Sequence, residues 1–308
     1  MQSSNNKPEL CIIIISYNTK QITENCINSI YKSFYLSLQK KEQIPRFEII
    51  VIDNASTDGS KEMLKNLEKK HNNLKVIENN KNQGFAKTNN YASKMTKSKY
   101  LLFLNSDIIV IDDAIVKLFR FFTQNENLFN FLGGKLLNKD NTSQASCGKF
   151  YTLPIIFASL FLKGDYLNLT RYSPKKTKEV DWISGACILT KKEYFDKVGK
   201  FDENIFMYMD EIDLLYRAKK KNYKIFFYPD SKFIHLGSAS SKEKTYPILQ
   251  VYKGFIYFYK KHYSSFKLFL LKIMLKLKAL IVILIGKIIN NKYLVETYEQ
   301  AYNLTKKT

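Results

Sequence analysis

The chain has 308 residues, 45% of them hydrophobic and 14% aromatic, which excludes a disordered polymer and supplies the core of one large domain or two moderate ones. Its formal charge is +21, from 49 basic against 28 acidic residues, and every basic residue except Arg46, Arg120, Arg171 and Arg217 is a lysine. That balance fits anionic partners such as phosphorylated small molecules or an anionic membrane surface, or else a solvated lysine coat. It does not point to nucleic acid, since no zinc-finger spacing or RNA-binding signature accompanies it.

In chain order, "LCIIIIS" (10–16) is a short β-branched run ending in polar residues and predicts a buried strand. A helical stretch runs to about residue 40, and "FEIIVID" (47–53) is a second buried strand. "STDGSKEMLKNLEKK" opens a helix with Ser56, Thr57 and Asp58 as candidate caps. "LKVIEN" (74–79) reads as a third strand, "GFAKTNNYASKMT" as a third helix, and "YLLFLNSD" (100–107) as a fourth strand that ends on an acid. Continuously apolar strands alternating with helices predict an α/β domain whose sheet is mostly parallel and covered on both faces. Ligands of such sheets bind outside the carboxyl ends of the strands, which makes Ser16, Tyr17, Asp53, Asn54, Asn105 and Asp107 neighbours in space.

The second half is less regular. Residues 108–130 read as a helix and "FLGGKLL" as a strand, and 138–180 hold turn formers around an apolar patch, "LPIIFASLFLKGDYLNL". "DWISGACILTKKEYFDKVG" predicts a strand and then a helix; "KIFFYPDSKFIHLG" predicts another strand and a loop carrying His235. The tail, "FKLFLLKIMLKLKALIVILIGKII" (266–289), is apolar but interrupted by Lys267, Lys272, Lys276, Lys278 and Lys287, too often for a spanning helix. On a helix, Lys272, Lys276 and Lys287 share one side while Lys267 and Lys278 fall nearly opposite. Two readings stand: a helix lying on anionic lipid with its lysine stems snorkelling, or a helix packed on protein. The expected division is a domain over 1–245, with halves of about 1–110 and 111–245, followed by a helical tail over 246–308.

Cys11, Cys26, Cys147 and Cys187 are scattered without a C-x-x-C pair, and "CIIII" is too short for a signal peptide. Reduced thiols and a cytoplasmic location are expected, peripheral at the inner face of the cell membrane if the tail binds lipid. Asp53 ends a strand in "VIDNASTDGS", where its carboxylate either accepts from a base or ribose or caps a turn. Asp107 follows a strand, a place from which an acid can hold a hard cation shared with a diphosphate, although a lone acid there is commonly structural. The stretch "FMYMDEIDLLYR" (206–217) brings three acids after an aromatic run. Asp210 fits an N-cap and Asp213 the third position of a first turn, which leaves Glu211 as a candidate general base at the rim of an apolar pocket.

Together, "IIIISYN", "FEIIVIDNASTDGS", "NQGFAKTNN", "YLLFLNSD", "VDWISGACILTKKEYFDKVGKFDENIFMYMDEIDLLYR" and "HLGSAS" have the order and spacing of family 2 glycosyltransferases. Over about residues 9–240 the chain most resembles the rhamnosyltransferase-like branch that builds bacterial cell-surface polysaccharides. The resemblance implies a GT-A fold, in which a Rossmann-like nucleotide-binding sheet merges with an acceptor-binding half. It also implies inverting, metal-dependent transfer of a sugar from a nucleotide diphosphate, dTDP-rhamnose or a UDP-hexose, to a glycan or lipid-linked hydroxyl. By the same resemblance Tyr17 and Asp53 contact the nucleoside, and Gly84 and Asn89 line the donor site. Asp107 is the principal ligand of Mg2+ or Mn2+ in an "NSD" motif where Asn105 departs from the two-aspartate form, and His235 joins it. Trp182, Ser184 and Gly185 shape the sugar and acceptor pocket. Glu211 is the base by position, with Asp210 the fallback. Two other functions are weighed against this one. A nucleotidyltransferase would carry a glycine-rich basic loop that "SYNTKQ" lacks, and an inactive membrane-associated scaffold is favoured only by the "NSD" departure and the basic tail.

Overall fold

A computed structural model describes residues 7–237 and 245–306, so Ser238, Ala239 and Ser240 of "HLGSAS" lie outside the described residues, and the expected boundary at 245 adjoins them. The elements in order are β1 (Leu10–Ser16), α1 (Lys20–Gln39), β2 (Phe47–Asp53), α2 (Ser60–Lys70), β3 (Leu74–Glu78), α3 (Phe85–Met95), β4 (Tyr100–Asn105) and β5 (Ile108–Val110). There follow α4 (Ala114–Gln124), β6 (Phe131–Leu137), β7 (Cys147–Gly148), α5 (Leu153–Phe161), β8 (Arg171–Tyr172), β9 (Lys178–Glu179), β10 (Trp182–Ile183), β11 (Cys187–Lys191) and α6 (Lys192–Val198). The chain continues through α7 (Asp210–Lys220), β12 (Ile225–His235), α8 (Thr245–His262), α9 (Ser265–Ile288) and α10 (Lys292–Leu304).

Residues cluster into two compact units. One takes in 7–148, 172–206 and 210–237; the other takes in 149–171, 207–209 and 245–306. In the first, the main sheet has the order β3-β2-β1-β4-β11-β6-β12-β5, with β9 paired to β12. β3, β2, β1 and β4 are mutually parallel, as their unbroken apolar runs predict, and the register sets Ser16 beside Asp53 and Ile15 beside Asn105. Alternate residues serve opposite faces. Leu102 and Leu104 of β4 join the core beneath α1 and α4, whereas Phe103 packs on Phe195 and Phe201 at ring-centroid distances of 4.8 and 5.2 Å. Antiparallel β11 then closes on β4, from Cys187 opposite Leu104 to Lys191 opposite Tyr100.

The structure corrects the helix expected over 108–130. Residues 108–110 are instead strand β5, paired antiparallel to β12 with His235 opposite Ile108, and α4 starts only at Ala114. A three-residue apolar run has no period of its own, so its partner strand decides its state. Capping of α2 differs too: Gly59 holds the N-cap with φ 84, while Asp58 Oδ1 accepts from Ser60 N at 3.1 Å.

The second unit is helical. The apolar patch of 153–169 supplies α5 and the loop after it, which cluster with α8, α9 and α10. Tyr259 donates its hydroxyl to Tyr151 O at 2.9 Å, and Tyr252 donates to Leu275 O at 3.2 Å. No helix among the described residues is long and apolar enough to cross a membrane.

Candidate active site

At the carboxyl edge of the parallel strands, side chains and backbone form one interlocked network. Asp53 is wholly buried; its Oδ2 accepts from Ser56 N at 2.9 Å, and its Oδ1 is buried with no hydrogen-bond partner. Asn54 is the hub of the next loop. Its Oδ1 accepts from Asn79 Nδ2 at 2.9 Å and Gln83 N at 3.1 Å, and its Nδ2 donates to Asn82 Oδ1 at 2.9 Å. Asn18, in the left-handed region at φ 51, accepts from Thr57 N at 2.8 Å and donates its own N–H to Ser56 Oγ at 2.9 Å. Tyr17 is half-buried beside this staple. Ser16 turns inward, 3.0 Å from Thr23 Oγ1, so it contributes its carbonyl, which accepts from Asn54 N at 2.8 Å, rather than its hydroxyl.

Gly84 has φ 79 and ψ 177, a conformation open essentially to glycine alone, and a Cβ there would sit 2.8 Å from Phe206 O. The neighbouring Phe85 N donates to that same oxygen at 3.3 Å. Of the two asparagines that follow, Asn89 is buried and donates to Phe85 O within its own helix at 3.0 Å. Asn90 instead holds residues 201–203 through Phe201 O at 2.9 Å, Phe201 N at 3.1 Å and Glu203 Oε1 at 3.1 Å. The segment leading to the acids is thereby fixed to α3.

Those acids reach the same edge through a short chain of contacts. Asn105 N donates to Ala186 O at 3.1 Å, and Gly185 is packed so that a Cβ on it would lie 3.6 Å from Cβ and Cδ of Glu211. Ser184 accepts from Ala186 N at 3.3 Å, which shapes the turn, and Trp182 is buried on β10 opposite Gly148. Asp210 opens α7 as its first residue rather than capping it, after Tyr208 and Met209, both at positive φ (63 and 68). Its side chain is 3% exposed and Oδ1 has no partner; burial first, and then the adjacent Glu211 charge, push its pKa well above the ordinary carboxylate range. Glu211 is half-buried. Asp213 does support the first turn, buried and bound to Arg217 Nε at 2.8 Å, while that guanidinium also donates to Val198 O and Lys200 O.

Asp107 and His235 meet because β5 pairs with β12: Leu236 N donates to Asp107 O at 3.0 Å, and His235 Nε2 lies 3.4 Å from Asp107 Oδ1. Gln144 sets the histidine tautomer. Its Nε2 donates to Asn138 Oδ1 and His235 O, so its Oε1, 2.7 Å from His235 Nδ1, is the acceptor and Nδ1 carries hydrogen. In the neutral ring the Nε2 lone pair then faces a carboxylate oxygen, an arrangement that only a proton or a cation between them relieves. The pair therefore fits a divalent cation, as two ligands. Among the described residues no group of three His, Cys, Asp or Glu side chains gathers to hold a metal by itself, so further ligands would come from phosphate oxygens or water.

Sequence patterns do not single out Asn18, Asn79, Asn82, Asn90 or Gln144, and they mark Ser56 only as a candidate cap. For Asn79 and Asn82 the signal is their place just past β3, and for Gln144, in a turn-rich stretch, there is none.

Residues 11–199 match the sequence profile of the family described as glycosyl transferase family 2. The chain belongs to glycosyl transferase family 2. The chain is 26% identical over 219 residues to a rhamnosyltransferase of Escherichia coli, covering 61% of this chain and 82% of that one. It is 29% identical over 139 residues to a putative teichuronic acid biosynthesis glycosyltransferase of Bacillus subtilis, covering 45% of this chain and 52% of that one; it thus spans about half the length of that relative. A mannosyltransferase from Pyrobaculum calidifontis, solved with GDP-Man and Mn2+, shares the fold at a TM-score of 0.55 and 14% identity, over 96% of this chain and 74% of that one. The fold of the chain is accordingly GT-A, with C-terminal helices. The family match stops at residue 199, before α7 and β12, so the bearing of Glu211 and His235 on the site rests on their contacts.

Proposed function

We propose that the transferase moves a sugar from a nucleotide diphosphate to a hydroxyl of a cell-surface glycan or lipid-linked acceptor, with inversion at the anomeric carbon. The observation that carries this reading is the seating of Glu211 against Gly185, one residue from the Ala186 carbonyl bound to Asn105 at the strand ends. Asp53, with a buried carboxylate oxygen still to be partnered, and half-buried Tyr17 hold the nucleoside; the loop fixed by Asn54 and Gly84 lines the donor. Asp107 and His235 hold Mg2+ or Mn2+, and their mixed oxygen and nitrogen donors favour Mn2+. When bound, the cation neutralises charge growing on the diphosphate. Glu211 takes the proton of the acceptor hydroxyl as the new C–O bond forms; the bond from the anomeric carbon to phosphate oxygen breaks, and its electron pair leaves on the diphosphate. Trp182, Ser184 and Gly185 bound the sugar and acceptor pocket.

The likeness to a rhamnosyltransferase ranks dTDP-rhamnose first among donors, ahead of UDP-hexoses. The lysine-rich tail supports a location at the inner face of the cell membrane. Incubating the purified chain with a panel of nucleotide sugars and Mn2+ or Mg2+, and following nucleoside diphosphate release, tests the transfer reading. Metal-dependent release from one donor supports it, and silence across the panel with intact nucleotide binding refutes it in favour of a scaffold.

A further inference from the structure

The lysines of α9 form no pattern while the helix is taken to have one apolar face, and the structure shows that it has two. One side is packed within the helical unit: Leu271, Leu275 and Ala279 are fully buried, and a Cβ on Gly286 would lie 3.0 Å from Val295 Cγ2 of α10. The opposite side is bare. Phe269, Ile273, Leu277, Leu280, Leu284 and Ile288 recur every three or four residues, each between 45 and 75% exposed, along a helix about 36 Å long at 1.5 Å per residue. At about 100° per residue, Lys276 and Lys287 lie along one flank of this stripe and Lys267 along the other. Lys278 has a separate duty: its ammonium donates to Leu160 O at 2.8 Å and lies 5.9 Å from the Phe161 ring centroid, at the C-terminal end of α5. α9 contains no acidic residue.

We propose that the bare stripe of α9 is the surface by which the chain lies on anionic lipid, with the helix in the plane of the interface, its apolar row among the acyl chains and its flanking lysines at the phosphates. The proposal deepens the membrane-surface reading above, on which it rests, and is independent of the transfer chemistry. Charge decides the occupant. A two-fold contact between copies would set one lysine-flanked, acid-free stripe against another, whereas an anionic bilayer supplies apolar depth between two rows of negative headgroups. The stripe is also too interrupted to span, in accord with the absence of a crossing helix among the described residues.

Flotation of the full chain with vesicles of phosphatidylcholine, with and without phosphatidylglycerol, tests it. The chain floats with the anionic vesicles and is released by salt. Leu277→Asp with Leu284→Asp lowers partitioning roughly a hundredfold, while Leu38→Asp, on exposed α1, leaves it unchanged. Lys276→Gln and Lys287→Gln weaken binding to anionic vesicles roughly fivefold each. Phe269→Trp supplies a readout without disruption, its fluorescence quenched by brominated acyl chains. Nucleotide-sugar turnover without vesicles and far-UV circular dichroism stay at wild-type level in every variant. If the unaltered chain floats on neither vesicle, the membrane reading itself fails. If it floats and the double aspartate variant floats equally, that reading survives and the α9 assignment is overturned. A concentration-dependent dimer that the aspartates dissolve, with no flotation, assigns the stripe to a second copy instead.

Discussion

The strand ends and the start of α7 both present carboxylates to one edge of the sheet, and they are built in opposite ways. At the strand ends the polar groups are tied down: Asp53, Asn54, Asn18 and Asn82 hold each other and the backbone, leaving one buried oxygen of Asp53 unmatched. At α7 two consecutive residues at positive φ lead into Asp210, a buried acid whose pKa burial and the Glu211 charge raise, beside half-buried Glu211. The contrast separates two duties. A rigid network presents fixed acceptors to a ligand that arrives already polar, whereas the base proposed at Glu211 changes its charge during turnover, beside a neighbour whose raised pKa disfavours a second anion.

The contrast can be broken in four places, taken from the largest expected effect downward. Asp107→Ala removes a proposed cation ligand, and donor turnover at saturating Mn2+ should fall by about two to three orders of magnitude, with the remaining rate no longer rising with Mn2+ in a titration. Gly84→Ala forces a Cβ against Phe206 O in a glycine-only conformation and should cost about 3 kcal/mol in urea unfolding. Asn54→Ala leaves the 79–83 loop without its hub and should cost about 2 kcal/mol in the same unfolding measurement, with weaker nucleotide binding by calorimetry.

The fourth and smallest effect is on stability against pH. Because the Asp210 carboxyl has a folded pKa above its unfolded one, the folded chain holds a proton that the unfolded chain releases. Stability therefore declines as pH rises above the unfolded value of about 3.9. Asp210→Asn should remove that decline, raising the thermal midpoint at pH 8 and leaving it unchanged below the unfolded value. Equal shifts at both pH values would show that Asp210 is charged in the fold.

Much of the carboxyl edge of the sheet was legible because parallel strands buried on both faces must be continuously apolar, and "CIIII", "EIIVI" and "LLFL" are. That Ser16, Asp53, Asn54 and Asn105 share one edge followed from the rule that places ligands at the carboxyl ends of such strands, whereas the order of the strands did not. What was not legible depended on partners distant in sequence. "IIV" at 108–110 became a strand only by pairing with β12, and that pairing is what delivers His235 to Asp107. Asn89 and Asn90 are adjacent and alike, and only the position of residues 201–203 decides which of them holds the acid-bearing segment. The α9 lysines looked irregular because the second apolar face of that helix is set by α8, α10 and α5. Asp213 is a first-turn acid, as its spacing predicts, but its burial depends on Arg217 and on the Val198 and Lys200 carbonyls that hold that guanidinium.

The central claim is that, of two adjacent acids, Glu211 takes the proton and Asp210 does not. Single-turnover transfer measured side by side for Glu211→Gln and Asp210→Asn, with donor affinity determined for each by calorimetry, tests it most directly. The account predicts a loss of about two to four orders of magnitude for Glu211→Gln at unchanged donor affinity, and a rate within about tenfold of the parent for Asp210→Asn. The reverse pattern, a near-normal Glu211→Gln enzyme and a dead Asp210→Asn enzyme that still folds and binds donor, would contradict it.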